Sequence, residues 1–137
     1  MAQVVIDGVD PADKEKVLKQ DILEALSDFI GSGPLGRYLS DYIDNTSKNI
    51  QRIAMAIALD DEARIRHLAH KLKGSSGNIG ALKLAWNCVE LEALTVEDKS
   101  QEVLKQQFEK LEQVFQVTSE AIKQYVDESK VSQSYIA

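Results

Sequence analysis

With one cysteine among 137 residues, Cys88, this chain cannot close an internal disulfide. A reducing compartment is therefore the expectation. Proline is almost as scarce. Pro11 and Pro34 are the only two, so beyond residue 34 no missing amide interrupts a helix. Long apolar runs are missing too: no stretch of 18 apolar residues occurs, and no basic-then-apolar segment opens the chain. Neither a membrane span nor a secretory signal is expected. A cytoplasmic location follows, with the nucleus open to a eukaryotic source. Excess positive charge is likewise absent, since the formal net charge is −6. That balance argues against nucleic acid as the main partner.

What is present is a chain rich in Leu, Ala, Lys, Glu and Gln, all good helix formers. Its length suits one domain over 1–137, with a core at about 18–126 and flexible tails at 1–9 and 129–137. Asp10-Pro11 reads as a helix start, an N-cap followed by proline at the first helical position. Leu18, Ile22, Ala25, Leu26 and Phe29 follow at helical spacing. Gly31-Ser-Gly-Pro34 breaks that pattern. The next seam is Leu35, Leu39, Tyr42, Thr46, Ile50, Ile53 and Ile57. Asp60-Asp61-Glu62 supplies an N-cap and first-turn acids for the third helix, favourable against the positive end of its dipole. Gly80 marks that helix's end, and Leu82, Ala85, Trp86 and Val89 continue as a fourth. Thr95-Val-Glu-Asp98 has the spacing of a capping box. It precedes Leu104, Phe108, Leu111, Phe115, Thr118, Ile122 and Tyr125 on the last helix. No alternating strand pattern competes. The expected architecture is all-α: an antiparallel up-and-down four-helix bundle with an additional short N-terminal helix.

The most informative run is Leu68-Ala-His-Lys-Leu-Lys-Gly-Ser-Ser-Gly-Asn-Ile-Gly-Ala81. At about 100° per residue, Ile65, Leu68, Ala69, Leu72, Ser76 and Ile79 form the buried stripe. His70 then points outward, about 140° from the stripe, with Gly77 at about 120° and Gly74 at about 180°. Each interior glycine costs a helix roughly 1 kcal/mol relative to Ala, so these two leave room for something: a second macromolecule approaching the imidazole. Lys73 and Arg66 lie on the flank, where long side chains can bring charge near His70. Arg64, Lys71 and Lys83 complete a local basic patch on an acidic protein, which suits a phosphoryl group or a small acidic target. His67 is exposed but lacks the lysine and glycine at three and four residues on. Trp86 and Cys88 are expected in or near the core.

Rival chemistries fit poorly. Gly74 to Gly80 has no preceding strand and no Gly-Lys-Ser/Thr ending, so it is not a nucleotide-binding loop. His67 and His70 lack inward-facing carboxylate partners of the Glu-x-x-His kind and stand among cations, so no metal site is expected. A hydrolase would need an orienting acid and an enclosed pocket, and a helical serine such as Ser75 or Ser76 more often bonds back along its own helix. Phosphoryl acceptance remains. An imidazole is nucleophilic near neutral pH because its ordinary pKa lies close to 6.5. Its attack on an acyl phosphate is helped mainly by positioning and by cations such as Lys73 acting as a mobile point charge. No ATP or Mg²⁺ site belongs to such a carrier; the metal would sit in the partner.

The segment from Leu68 to Trp86, and above all His70-Lys-Leu-Lys-Gly-Ser-Ser-Gly-Asn-Ile-Gly-Ala81, resembles the signature of histidine-containing phosphotransfer (HPt) domains of two-component phosphorelays. The helix pattern extends the resemblance over roughly Leu18 to Tyr125 and leaves the segment before Leu18 uncovered. It implies that His70 is the phosphorylated residue, that Lys73 assists the phosphoryl group and that Gly74 admits the partner. Ser75 and Ser76 match the pattern without an assigned role. Arg66, Lys71 and Gly77 are expected to join Gly74 in contacting partners. Those partners would be receiver domains of a hybrid histidine kinase and of a response regulator. A monomeric carrier rather than an enzyme is expected. A phosphorylation-independent adaptor and a small metal or cofactor bundle are the alternatives. No motif of an ATP-binding kinase domain or a receiver occurs, so a free-standing carrier and a domain excised from a hybrid kinase both remain open.

Overall fold

The computed structural model describes residues 10–97 and 100–136, with 130–136 by backbone alone. A 3₁₀ turn at Pro11–Asp13 precedes five helices: α1 Gln20–Ile30, α2 Ser32–Ala58, α3 Glu62–Asn78, α4 Leu82–Val96 and α5 Gln101–Ile136. The described residues contain no strand. Helix α2 packs on α3, α3 on α4, α4 on α5 and α5 back on α2, while α1 leans on α2. Neighbours run antiparallel, as Tyr42 against Ser76, His70 against Glu92 and Gln107 against Asn87 show. This is the expected four-helix bundle with one short extra helix. No described helix is long and apolar enough to cross a membrane.

The seam of α2 is buried at every expected position, from Leu35 and Leu39 through Tyr42 and Thr46 to Ile50, Ile53 and Ile57. On α3 the stripe Ile65, Leu68, Ala69, Leu72 and Ser76 is buried as the wheel requires, and Ile79 follows it. Full burial of each Leu or Ile here contributes roughly 1.5–3 kcal/mol. Asp61 caps α3 by accepting from the Arg64 amide at 3.1 Å. Asp60, left-handed at φ 54°, turns the chain just before it.

Several expectations change. Asp10 does cap a helical start, accepting from the Ala12 amide, but only the three-residue 3₁₀ turn follows it. The chain from Lys16 to Lys19 is instead tied to the α3–α4 turn: the Lys83 amide donates to Lys16 O and the Lys19 amide donates to Gly80 O, each at 2.8 Å. Helix α1 therefore starts only at Gln20. Phe29, expected on its apolar face, is 88% exposed; it lies in the last turn of α1, which ends after 11 residues at Gly31.

Helix α4 is apolar on two sides. Leu84, Cys88 and Leu91 face the main core, whereas Leu82 and Ala85 form a small second cluster with Ile22 and Trp86. The spacing of Leu82, Ala85 and Trp86 follows the second face alone. Thr95 does not begin α5: it lies within α4, buried, its hydroxyl donating to Glu92 O at 2.7 Å. Ser100 occupies the capping place instead, accepting from the Val103 amide at 3.4 Å. Asp98, the other end of the proposed box, lies outside the described residues. So does the expected tail at 1–9. At the other end, residues 129–136 continue α5 as helix rather than leaving it as a tail.

Gly80 shows how the N-terminal segment and the turn fit together. Its φ is +82°, and a Cβ there would come within 2.9 Å of Lys19 O and 3.2 Å of Ile22 Cβ. Ala at this position is strained by its own backbone and meets main chain that cannot rotate away. We expect Gly80→Ala to destabilise the fold by about 1–3 kcal/mol, read as a melting temperature lowered by several degrees. An unchanged melting curve would show that the N-terminal segment is not packed against this turn in solution.

Candidate functional site

On α3, three residues that follow one another in function point in different directions. The apolar stripe pulls Leu68, Ala69 and Leu72 into the core, and this turns His70 outward, its side chain 61% exposed. Gly74 is exposed and Gly77 half-buried, and a Cβ built on either meets nothing within 4 Å. The helix surface beyond the imidazole is therefore bare, as expected. His67 is exposed as well, with no described hydrogen bond bringing it to this site.

Lys73 differs from expectation. It is only 5% exposed, not a mobile charge on an open flank. The flank at its angle on the wheel is covered by α4, so the stem runs through the α3–α4 interface and only the amine reaches the site. There Lys73 Nζ stands 3.2 Å from His70 Nδ1 and 3.4 Å from Glu92 Oε1. The second oxygen of the same carboxylate, Oε2, is 3.3 Å from His70 Nδ1. A buried ammonium is costly unless paired, and Glu92 on α4 is a partner that lets Lys73 remain there. One carboxylate thus bridges the imidazole and the ammonium.

Nothing in the run around His70 singles out Glu92. The α3–α4 turn places it: His70 lies eleven residues before Ala81 and Glu92 eleven after, so an antiparallel hairpin sets them opposite one another. The same register brings Arg66 to Thr95, with Arg66 Nε donating to Thr95 Oγ1 at 3.2 Å. Arg66 is half-buried against α4 and is not a free cation beside His70. Lys83 is likewise drawn away, 3.7 Å from Glu15. Arg64 and Lys71 remain exposed. Lys71 borders a groove of about 630 Å³ between α2 and α3, where Tyr38, Asp41, Lys48, Arg52 and Ser75 also line the walls. The positive charge near this face thus comes partly from α2, which the run around His70 could not reveal.

The support beneath the site is polar as well as apolar. Ser76 and the Tyr42 hydroxyl share a buried hydrogen bond of 2.6 Å, which fixes α2 against α3 less than two turns beyond His70. Burial pushes the Tyr42 phenol above its ordinary range, although Ser76 opposes the shift, so it stays neutral. Ser75 bonds back to Leu72 O at 3.1 Å as a helical serine tends to; Ser76 does not. Cys88 is fully buried and desolvation pushes its thiol pKa up, which keeps it protonated as a packing residue. Trp86 is half-buried, with Lys14 Nζ 5.7 Å from the ring centroid. A second concavity, about 770 Å³ between α1, α2 and α5, lies along Arg37, Asp44 and Lys123 and does not include His70. Transfer to an exposed imidazole does not require it.

These features define a class: a helical bundle that presents one histidine, backed by a lysine and a carboxylate, on an open convex face. The Hpt domain family model matches residues 37–129, a span that holds His70, Lys73, Gly74 and Glu92. The chain belongs to the Hpt domain family, whose members serve phosphotransfer in two-component signalling. No protein of curated function matches the sequence significantly. Among solved structures, histidine-containing phosphotransfer protein B from Pseudomonas aeruginosa PAO1 is similar at 24% identity with a TM-score of 0.75, covering 83% of this chain and 97% of its own. A rice protein assigned as a histidine-containing phosphotransfer protein is similar at 22% identity and a TM-score of 0.56, covering 82% of this chain and 86% of its own. At these identities the two structures speak for the fold.

Proposed function

We propose that His70 is the phosphoryl acceptor of this protein. It takes the group from the phosphoaspartate of one receiver domain, as in a hybrid histidine kinase, and gives it to the aspartate of another, that of a response regulator. The observation that carries this reading is the exposed imidazole held by Lys73 and Glu92 beside a helix surface left bare at Gly74 and Gly77. A rim of protein can come down on that surface, and the ring needs no pocket of its own. Charge spreads over three equatorial oxygens in phosphoryl transfer, and positioning plus cations does most of the catalysis. Lys73 brings a fixed cation within one hydrogen bond of the ring. In this reading the Mg²⁺ stays with the receiver, one copy of the chain suffices, and Gly74, Gly77, Lys71 and Arg66 form the partner-facing surround. The carrier works where receivers work, in the cytoplasm or, in a eukaryote, also the nucleus.

Incubation with a phosphorylated receiver tests the reading. The protein should acquire a phosphate that is acid-labile and alkali-stable, the behaviour of a phosphoramidate. Binding of the receiver without any label would instead support the adaptor role.

Lys73 has a separate test. Lys73→Ala should slow transfer ~10–100-fold, which is about 1.4–2.7 kcal/mol of transition-state stabilisation. Receiver affinity should fall less, because the amine sits beneath the contact face rather than on it. Equal rates for variant and parent in a rapid-mixing transfer assay would reduce Lys73 to a packing residue.

A further inference from the structure

The groove between α2 and α5 carries charges of both signs in a regular order. The two helices run antiparallel. Near one end Gln101 Nε2 donates to Ile57 O, and towards the other Val126 Cγ1 stands 3.9 Å from where a Cβ on Gly36 would lie. That register fixes relative heights at about 1.5 Å per residue. Arg37 on α2 and Asp127 on α5 stand within about 3 Å of one level. Asp44 and Lys123 lie further down, one on each wall, about 7.5 Å apart in height. Each wall therefore bears one cation and one carboxylate, and their order on α2 is the reverse of that on α5. All four residues are exposed and line the groove of about 770 Å³. Among the described residues none of them forms an ion pair. Between the walls Ile43, Tyr125 and Val126 are only half-buried.

We propose that this groove is an interface between two copies of the chain, joined face to face about a two-fold axis parallel to α2 and α5. Such an axis preserves height and exchanges the walls, so α2 of one copy faces α5 of the other. Arg37 then meets Asp127 of the second copy, and Lys123 meets its Asp44, within the span of the long basic side chains. Each contact occurs twice. The two helix pairs close into an intermolecular four-helix arrangement, with Ile43, Tyr125 and Val126 of both copies between them.

The charges select this occupant. A partner of one sign gains at two of the four residues and loses at the other two. The pattern that satisfies all four is the same groove turned round. Over the chain as a whole the formal charge of −6 repels a second copy, but these four residues sum to zero and remove that barrier locally. Complementary charge fixes register more than it raises affinity, and a contact confined to one groove is small. Stable complexes bury roughly 1,200–2,000 Å², so the pairing here is weak, reversible and sensitive to salt.

The phosphotransfer face stays open. Helix α3 meets α2 through Tyr42 and Ser76, neither of which lines this groove. The chemistry at His70 needs one copy only, and a pair presents two imidazoles at once. The inference does not rest on the acceptor reading.

Sedimentation velocity of the full chain, from micromolar to millimolar concentration, tests it. The parent should pass reversibly from monomer to dimer, less readily as salt is raised. Arg37→Asp and Asp127→Arg each set like charges together at two contacts of the homodimer, and each should weaken association about tenfold or more. Mixed in equal amounts, the two variants should associate as the parent does, since every contact of the mixed dimer again joins an acid to a base. Both positions are exposed, so melting should barely change, and transfer to His70 should keep the parent's rate. A parent that stays monomeric at the highest concentration overturns the proposal with no variant needed. So does a mixture that fails to associate, or a single variant that pairs as the parent does. Slower transfer in folded variants would assign the groove to a receiver instead of a second copy. If His70 took no label, the acceptor reading would fail and sedimentation would still decide this one.

Discussion

His70→Gln should abolish phosphoryl labelling while the protein stays folded. The side chain is 61% exposed and lies outside the core, and exposed polar exchanges usually change stability by less than about 0.5 kcal/mol. Gln is well chosen for a second reason. Its amide can donate towards Glu92 and accept from Lys73, the two groups that stand within 3.3 Å of Nδ1, so the buried ammonium keeps its surroundings. What Gln lacks is a nucleophilic nitrogen, since the amide electron pair is delocalised into the carbonyl. The matched control is His67→Gln, one turn earlier and also exposed, which should take label at the parent's rate. Phosphate incorporation from a receiver, followed alongside thermal melting, separates the cases. Label that survives His70→Gln and disappears with His67→Gln would move the acceptor to the other histidine.

The parts of the molecule governed by one helix at a time could be read directly from the chain. The six-residue stripe on α3 and the seven-residue seam on α2 are mostly apolar and keep one helical period, and every one of those residues is buried. The outward His70 and the bare surface at Gly74 follow from that same wheel. Errors enter where a second element decides. Helix α4 touches the core with one face and the N-terminal segment with another, and a helix apolar on two sides gives no single moment to read. Phe29 has helical spacing to Leu26 and Ile22 but no neighbour to cover it. Lys73 was placed at the correct angle, yet its burial depends on which helix covers the flank. The bridging role of Glu92 depends on where the α3–α4 hairpin turns. Once Gly80 and Ala81 are known to be the turn, counting outward by equal steps from Ala81 finds Glu92 opposite His70. The pair was thus implicit in the chain, hidden only behind the loop geometry.

Gly74 provides the sharpest opposition between stability and function. The residue is exposed and a Cβ there meets nothing within 4 Å, so a longer side chain fits the isolated protein without displacing anything. Replacing a helical glycine also removes conformational entropy from the unfolded chain, and the gain can reach about 1 kcal/mol. Gly74→Gln should therefore melt at the same temperature or higher. Transfer should suffer, because the receiver must bring its phosphoaspartate to within bonding distance of the His70 ring, one turn away on the same helix. A displacement of about 1 Å at a reacting pair can cost 10²-fold in rate, and a glutamine side chain in the approach path displaces the partner by more than that. Gly33 supplies the comparison. It too is exposed, with nothing within 4 Å of a Cβ, and it lies in the first turn of α2. Tyr42 on α2 already meets Ser76 near the C-terminal end of α3, so Gly33, nine residues earlier, lies beyond that end and far from His70. Gly33→Gln should leave transfer untouched. Equal transfer by the two variants in a rapid-mixing assay would mean that Gly74 clears no path for a partner. A steep drop in melting for Gly74→Gln would mean instead that this face of α3 is packed against something. The pairing of a raised or unchanged melting temperature with blocked transfer is what a helix shows when it keeps a locally unfavourable residue for the sake of a docking partner.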